Sequence, residues 1–176
     1  MKVSIKNNAQ GGFTLIELIV VIVILGILAA TALPKFASLG GDARFASLNA
    51  AKGALNATAA MAHGKWLVNP TINTVAMEDQ SVTLTTNGYP DALKTTALAA
   101  GLSAGDYTVY TSTDSGTNVP VPTSSSSINI VPASIVGTAS AKNCFLTYTA
   151  TTTAPPTITL GKDAQGNILA TSANCN

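Results

Sequence analysis

Apolar positions along this chain fall into two regimes. Residues 13–36 hold 18 apolar side chains in 24 positions, and no charge occurs from Leu18 to Pro34. A run with no polar face predicts a helix surrounded by apolar material on every side. As a helix, Phe13–Leu33 would extend about 31 Å, the thickness of a bilayer's hydrocarbon core. From Asp42 to His63 the pattern turns amphipathic: Phe45, Leu48, Leu55 and Ala59/Ala62 recur about every 3.5 residues as a narrow apolar stripe. Continuity through Lys35–Gly41 predicts one helix from Phe13 to about His63, about 76 Å long, with Gly40–Gly41 as a soft spot for a bend.

Beyond Trp66 the periodicity shortens to two. Short β-branched runs occur at Val82–Thr86, Tyr107–Thr111, Ile128–Val131, Phe145–Thr149, Thr157–Leu160 and Ile168–Thr171. Turn signals separate them, among them Asn87-Gly88-Tyr89-Pro90, Asp114-Ser115-Gly116 and Gln165-Gly166-Asn167. Alternation puts Phe145, Thr147 and Thr149 on one face of a strand, with Leu146 and Tyr148 on the other. Asp91–Ala100, between Pro90 and Gly101, predicts a short helix. The expected class is α+β: an antiparallel sheet packed on the amphipathic half of the long helix.

Composition narrows this picture. The 176 residues are 47% apolar but only 10% charged, with a net charge of +1. Such a balance excludes a disordered chain and a nucleic-acid binder held by basic patches. The mean hydropathy of +0.35 averages the apolar run with a remainder in which Ser and Thr supply 32 of the last 110 residues. Ahead of the run, Lys2 and Lys6 are the only charges, which predicts a cytoplasmic N-terminus and an exported remainder. A secretory signal would carry its small-residue cleavage site after the apolar run, whereas Gly11–Gly12 precedes it. Cutting there would leave the apolar helix on the mature protein, with seven basic and eight acidic residues, 7 − 8 = −1.

One charge interrupts the span. A carboxylate such as Glu17 costs about 2.5–3.5 kcal/mol at the middle of a membrane helix and less near its end. Either it snorkels at the membrane edge or it is kept because it finds a cation. If the chain is cut after Gly12, the new amine of Phe13 lies four residues away, and pairing between chains would fix their register.

Gly11-Gly12-Phe13-Thr14-Leu15-Ile16-Glu17, followed by the apolar helix with Gly26 and Pro34, resembles the signature of type IV prepilins and related pseudopilins. The resemblance implies cleavage between Gly12 and Phe13 by a membrane prepilin peptidase, N-methylation of Phe13, and pairing of Glu17 with the N-terminal amine of a neighbouring subunit. It implies a type IV pilin fold: leader 1–12, transmembrane assembly helix 13–34, amphipathic spine 35–65, and a β-rich head 66–176. Gly26 and Pro34, each a weak point in a helix, would let the segment unwind locally as subunits pack. Pro34-Lys35-Phe36, His63-Gly64-Lys65-Trp66, Asn87-Gly88-Tyr89-Pro90 and Cys144-Phe145-Leu146-Thr147-Tyr148-Thr149 are similar to stretches of mannose-sensitive haemagglutinin pilins.

The expected function is therefore structural: the major subunit of a type IV pilus, stored in the bacterial inner membrane and assembled with copies of itself into an extracellular filament for adhesion and biofilm formation. Its expected partners are other pilin subunits, the peptidase and the assembly machinery, with no cofactor and no nucleic acid. The alternatives are a pseudopilin of a type II secretion system and, from another class, a periplasmic enzyme or binding protein on an uncleaved anchor.

The remaining chemistry is sparse. Cys144 and Cys175 both fall in the predicted exported part, where an even pair reads as a disulfide; free thiols and a metal site are the alternatives. In type IV pilins such a C-terminal pair bounds the variable, exposed region. Closing a loop of about 32 residues would contribute roughly 3–4 kcal/mol. His63, the only histidine, is expected exposed at a helix end, and no nucleophile or orienting group can be named beside it. Asp163-Ala164-Gln165-Gly166-Asn167 faintly resembles a calcium turn but reads better as a plain hairpin turn. No enzyme is expected.

Overall fold

A computed structural model describes residues 13–163 and 165–176. Helix α1 spans Leu15–Val68, five residues beyond the predicted end at His63. After it come β1 (Thr74–Met77), β2 (Gln80–Thr83), α2 (Lys94–Ala99), β3 (Tyr107–Tyr110), β4 (Ser127–Pro132), β5 (Leu146–Thr149) and β6 (Thr157–Leu160). Two 3-10 turns, Ala133–Ile135 and Ala139–Lys142, lie between β4 and β5. The described chain divides into two compact units at Ala37–Ser38, and the second holds every strand.

In that second unit, strands β3-β4-β5-β6 form an antiparallel meander in chain order. β4 is the buried centre: all six of its residues are buried, and Ile130 faces Val109 on one side and Leu146 on the other. Alternation in β5 holds as expected, with Leu146 and Tyr148 buried and Thr147 and Thr149 half-exposed. The helix stripe Leu48, Ala51 and Leu55 joins Ile128, Ile130, Leu146, Tyr148 and Ile158 in one core. Burying a side chain of Leu or Ile size in this way contributes about 1.5–3 kcal/mol. Asn129, buried in β4, is satisfied on both sides of its amide: Nδ2 donates to Pro120 O at 2.9 Å, and Oδ1 accepts from Thr147 Oγ1 at 2.7 Å. Tyr148 Oη donates to the Pro90 carbonyl at 2.7 Å, and burial pushes its pKa well above the ordinary phenol value, with the charge of Asp91 adding to this.

Gly41 sits inside α1, facing the C-terminal segment. A Cβ there would stand 2.1 Å from the Ser172 carbonyl oxygen, so only glycine lets the C-terminal segment lie on the helix. The predicted strand Ile168–Thr171 is reduced to one bridge, Lys162↔Ile168. Predicted helix Asp91–Ala100 shrinks to α2, because Asp91 turns its carboxylate onto the Ala92 N–H and its carbonyl onto Thr96 Oγ1.

Strand β1 has no counterpart in the sequence-based expectation. It pairs with β2 through the two-residue turn Glu78–Asp79, with φ of 46° and 57°. Both residues sit in the left-handed region, which costs side-chain-bearing residues about 1–2 kcal/mol each. Glycine or asparagine normally marks such a turn, and neither is present.

Candidate assembly site on the N-terminal helix

The first turn of α1 carries the polar groups of an otherwise apolar segment. Thr14 precedes the helix, and its backbone N–H and its Oγ1 both donate to Glu17 Oε2 at 2.8 Å. The Glu17 N–H reaches back to Thr14 Oγ1 at 3.3 Å. This is a capping box, in which a threonine and the glutamate three residues on satisfy each other's backbone donors. Glu17 thus has a partner in its own chain that the charge-centred sequence reading missed, although T-x-x-E before an apolar run is the known signature. Phe13, the predicted first residue of the mature chain, is 94% exposed. Gly12 and the rest of the predicted leader lie outside the described residues.

Downstream, Leu15–Leu33 is a 19-residue stretch of mean hydropathy 2.8, none of it buried within the chain. At 1.5 Å per residue it spans about 28 Å, enough for a hydrocarbon core. Thr31 Oγ1 donates to the Leu28 carbonyl at 2.9 Å, so the hydroxyl is satisfied inside the helix. A Cβ at Gly26 would meet nothing within 4 Å, so no contact within the chain requires glycine there. Pro34 lies within the helical span, where it cannot supply the N–H that the Ala30 carbonyl would otherwise accept.

In the second unit, Cys144 and Cys175 are joined, with Cα atoms 4.9 Å apart and both side chains fully buried. Arg44 reinforces the closure: Nη1 donates to the Cys175 carbonyl at 2.7 Å and Nε to Ser134 Oγ at 3.0 Å. Ser140 Oγ holds the terminal Asn176 carbonyl oxygen at 2.7 Å.

His63 does not end the helix and is not freely exposed. Its ring stacks on Tyr89 with centroids 4.0 Å apart and lies 5.6 Å from Trp66. Trp66 in turn lies over Gly88, where φ is +78° and a Cβ would stand 2.2 Å from the indole. The His63–Trp66 and Asn87–Pro90 stretches, far apart in sequence, thereby pack as one cluster. Asp163 behaves as a turn residue. Oδ1 accepts the N–H groups of Gln165 and Asn167, Oδ2 accepts from Asn167 Nδ2, and the Asn167 bonds hold its pKa below the ordinary value. Among the described residues no three His, Cys, Asp or Glu side chains converge on a metal position.

Comparison with known proteins agrees with this geometry. The prokaryotic N-terminal methylation motif matches residues 7–33, the segment holding the capping box and most of the apolar run. The chain is 33% identical over 98 residues to the type IV narrow pilus major component PilA5 of Thermus thermophilus, covering 56% of this chain and 84% of that protein. It is 44% identical over 73 residues to the type IV major pilin protein PilE1 of Neisseria gonorrhoeae, covering 40% of this chain and 44% of that protein. No solved structure matches. An exposed apolar helix opened by Thr14 and Glu17, an antiparallel meander closed by a C-terminal disulfide, and a relative matched over most of its length lead to one conclusion: this chain belongs to the type IV pilin family.

Proposed function

We propose that this pilin is the major, repeating subunit of a type IV pilus used for surface adhesion and biofilm formation. The observation that carries the proposal is that no residue of the Leu15–Leu33 span is buried within the chain. Nineteen residues of this hydropathy cannot remain in water, and lipid before assembly and neighbouring helices afterwards both cover them. The two relatives named above are each described as a major pilus component, which supports the repeating rather than the minor role.

In this reading the peptidase cuts between Gly12 and Phe13, Phe13 is N-methylated, and the freed amine of one subunit meets Glu17 of the next. Gly26 and Pro34 are the points where the helix loosens as subunits pack, since each lacks either a side chain or a backbone donor. The head, from about residue 66 onward, forms the outer surface. Mass spectrometry of the native protein tests the processing: the expected N-terminus is methylated Phe13, and a mature chain beginning at Met1 would overturn it. Shearing of cells tests the filament. Extracellular polymer of this chain is expected, and its absence would favour a short periplasmic pseudopilus.

A further inference from the structure

We infer that successive heads interlock, with the bridged pair Lys162 and Ile168 of one copy seated in a groove beside the Glu78–Asp79 turn of the next. The inference rests on the pilus reading above and concerns how the heads contact one another.

The groove has a volume of about 590 Å³. Met61, Gly64 and Val68 of α1 form one wall, and Ala76, Met77 and Glu78 of the β1–β2 hairpin form the other. Met61 is 54% and Val68 88% exposed, so the single chain leaves an apolar face uncovered. The rim is acidic. Glu78 and Asp79 are exposed at the hairpin tip, and among the described residues neither has an ion pair. Lys65, which also borders the groove, is bound to the Ala76 carbonyl at 3.0 Å. The site therefore asks for an apolar knob flanked by a cation.

This chain carries one such knob. After Val68, Ile168 is the only large apolar side chain more than half exposed among the described residues. It is bridged directly to Lys162. Residues directly opposite one another on neighbouring strands put their side chains on the same face. Lys162 is exposed and has no hydrogen bond or ion pair among the described residues, while the adjacent Asp163 spends its carboxylate on the turn. An isoleucine beside an unpaired ammonium complements a methionine-lined groove beside unpaired carboxylates.

Position along the helix gives the contact its sense. The segment after Ile168 closes on α1 at Gly41 through Ser172, whereas the groove begins at Met61. Twenty residues of helix separate these levels, about 30 Å. Knob and groove are different surfaces displaced along one axis, so their contact is head-to-tail and propagates without closing into a dimer.

Two measurements on sheared filaments test this. Filaments of the Met77→Cys/Ile168→Cys variant, treated with a short bis-maleimide, should give a ladder of covalent oligomers, and either single variant should not. Lys162→Glu and Glu78→Lys should each lower filament yield several-fold, and combining them should restore it. Normal filaments without a ladder, or a charge-swapped pair no better than its parents, would overturn the interlock and leave the pilus reading standing. Failure of the wild type to form extracellular polymer would overturn both.

Discussion

Breaking the Cys144–Cys175 bond should destabilise the head by an amount set chiefly by the loop it closes. The cysteines are 31 residues apart. In the chain-entropy treatment, a loop of about 32 residues restricts the unfolded chain by about 3.7 kcal/mol at 25 °C. Reduction alone leaves both sulfurs in place, so reduced wild type measures this term by itself. Cys144→Ala/Cys175→Ala empties two fully buried positions as well, adding about 1–2 kcal/mol. Trp66 is the only tryptophan and packs on Gly88, so its fluorescence reports the fold without a label. Urea unfolding of the mature protein in detergent should give a lower midpoint for the reduced chain and a steeper dependence on urea, because the open unfolded chain exposes more surface. The alanine variant should fall further. A loss below about 1 kcal/mol on reduction, with unchanged slope, would refute the loop argument. It would assign the C-terminus instead to the Arg44 and Ser140 contacts.

Three further perturbations separate competing explanations. Glu17→Ala should insert normally in the membrane and abolish sheared filaments; Glu17→Gln, which can still close the cap, should fail equally if charge is what matters, and normal piliation in Glu17→Gln would leave only the capping role. Gly41→Ala should cost about 2 kcal/mol in urea unfolding despite a helix-propensity gain of about 1 kcal/mol, while Gly53→Ala, whose Cβ meets open space, should stabilise; equal stabilisation by both would discard the Ser172 contact. Asp114 is held below its ordinary value of 3.8, first by the Thr111 N–H and hydroxyl bonds and then by Lys94 at 3.5 Å. A depressed folded pKa contributes stability that is complete well above pH 4 and is lost as pH falls through the folded value. The fall in unfolding midpoint between pH 5 and pH 2 should therefore be shallower in Asp114→Asn, and an unchanged profile would contradict it.

The sequence made legible what periodicity alone determines. The all-apolar run, the stripe through Leu48 and Leu55, and the alternation of Leu146 and Tyr148 all follow from burial on one side or on every side, and burial leaves a period. Strand β1 was invisible because Thr74–Met77 is short and its turn, Glu78–Asp79, lacks the glycine or asparagine that marks a tight hairpin. Only pairing with β2 holds that conformation, and pairing is not a local signal. The stack of His63 on Tyr89 was hidden for the same reason: 25 residues and a hairpin intervene. Gly41 is legible in the sequence only as a soft spot, because the contact that requires glycine there is the Ser172 carbonyl 131 residues later.

Glu17 is the instructive case, because it was noticed and its first partner was still missed. As a charge in lipid, the carboxylate calls for a cation. The first turn of any helix also has N–H groups with no acceptor, and in hydrocarbon no water supplies one. Thr14 and Glu17 answer that need within three residues. The two roles do not compete for the same atom. A carboxylate offers about four acceptor positions, and both Thr14 donors use Oε2, so Oε1 has no partner among the described residues. An amine arriving from a neighbouring subunit would add to the cap without breaking it. The proposed assembly contact then needs no rearrangement of the helix that carries it, only the approach of a second chain.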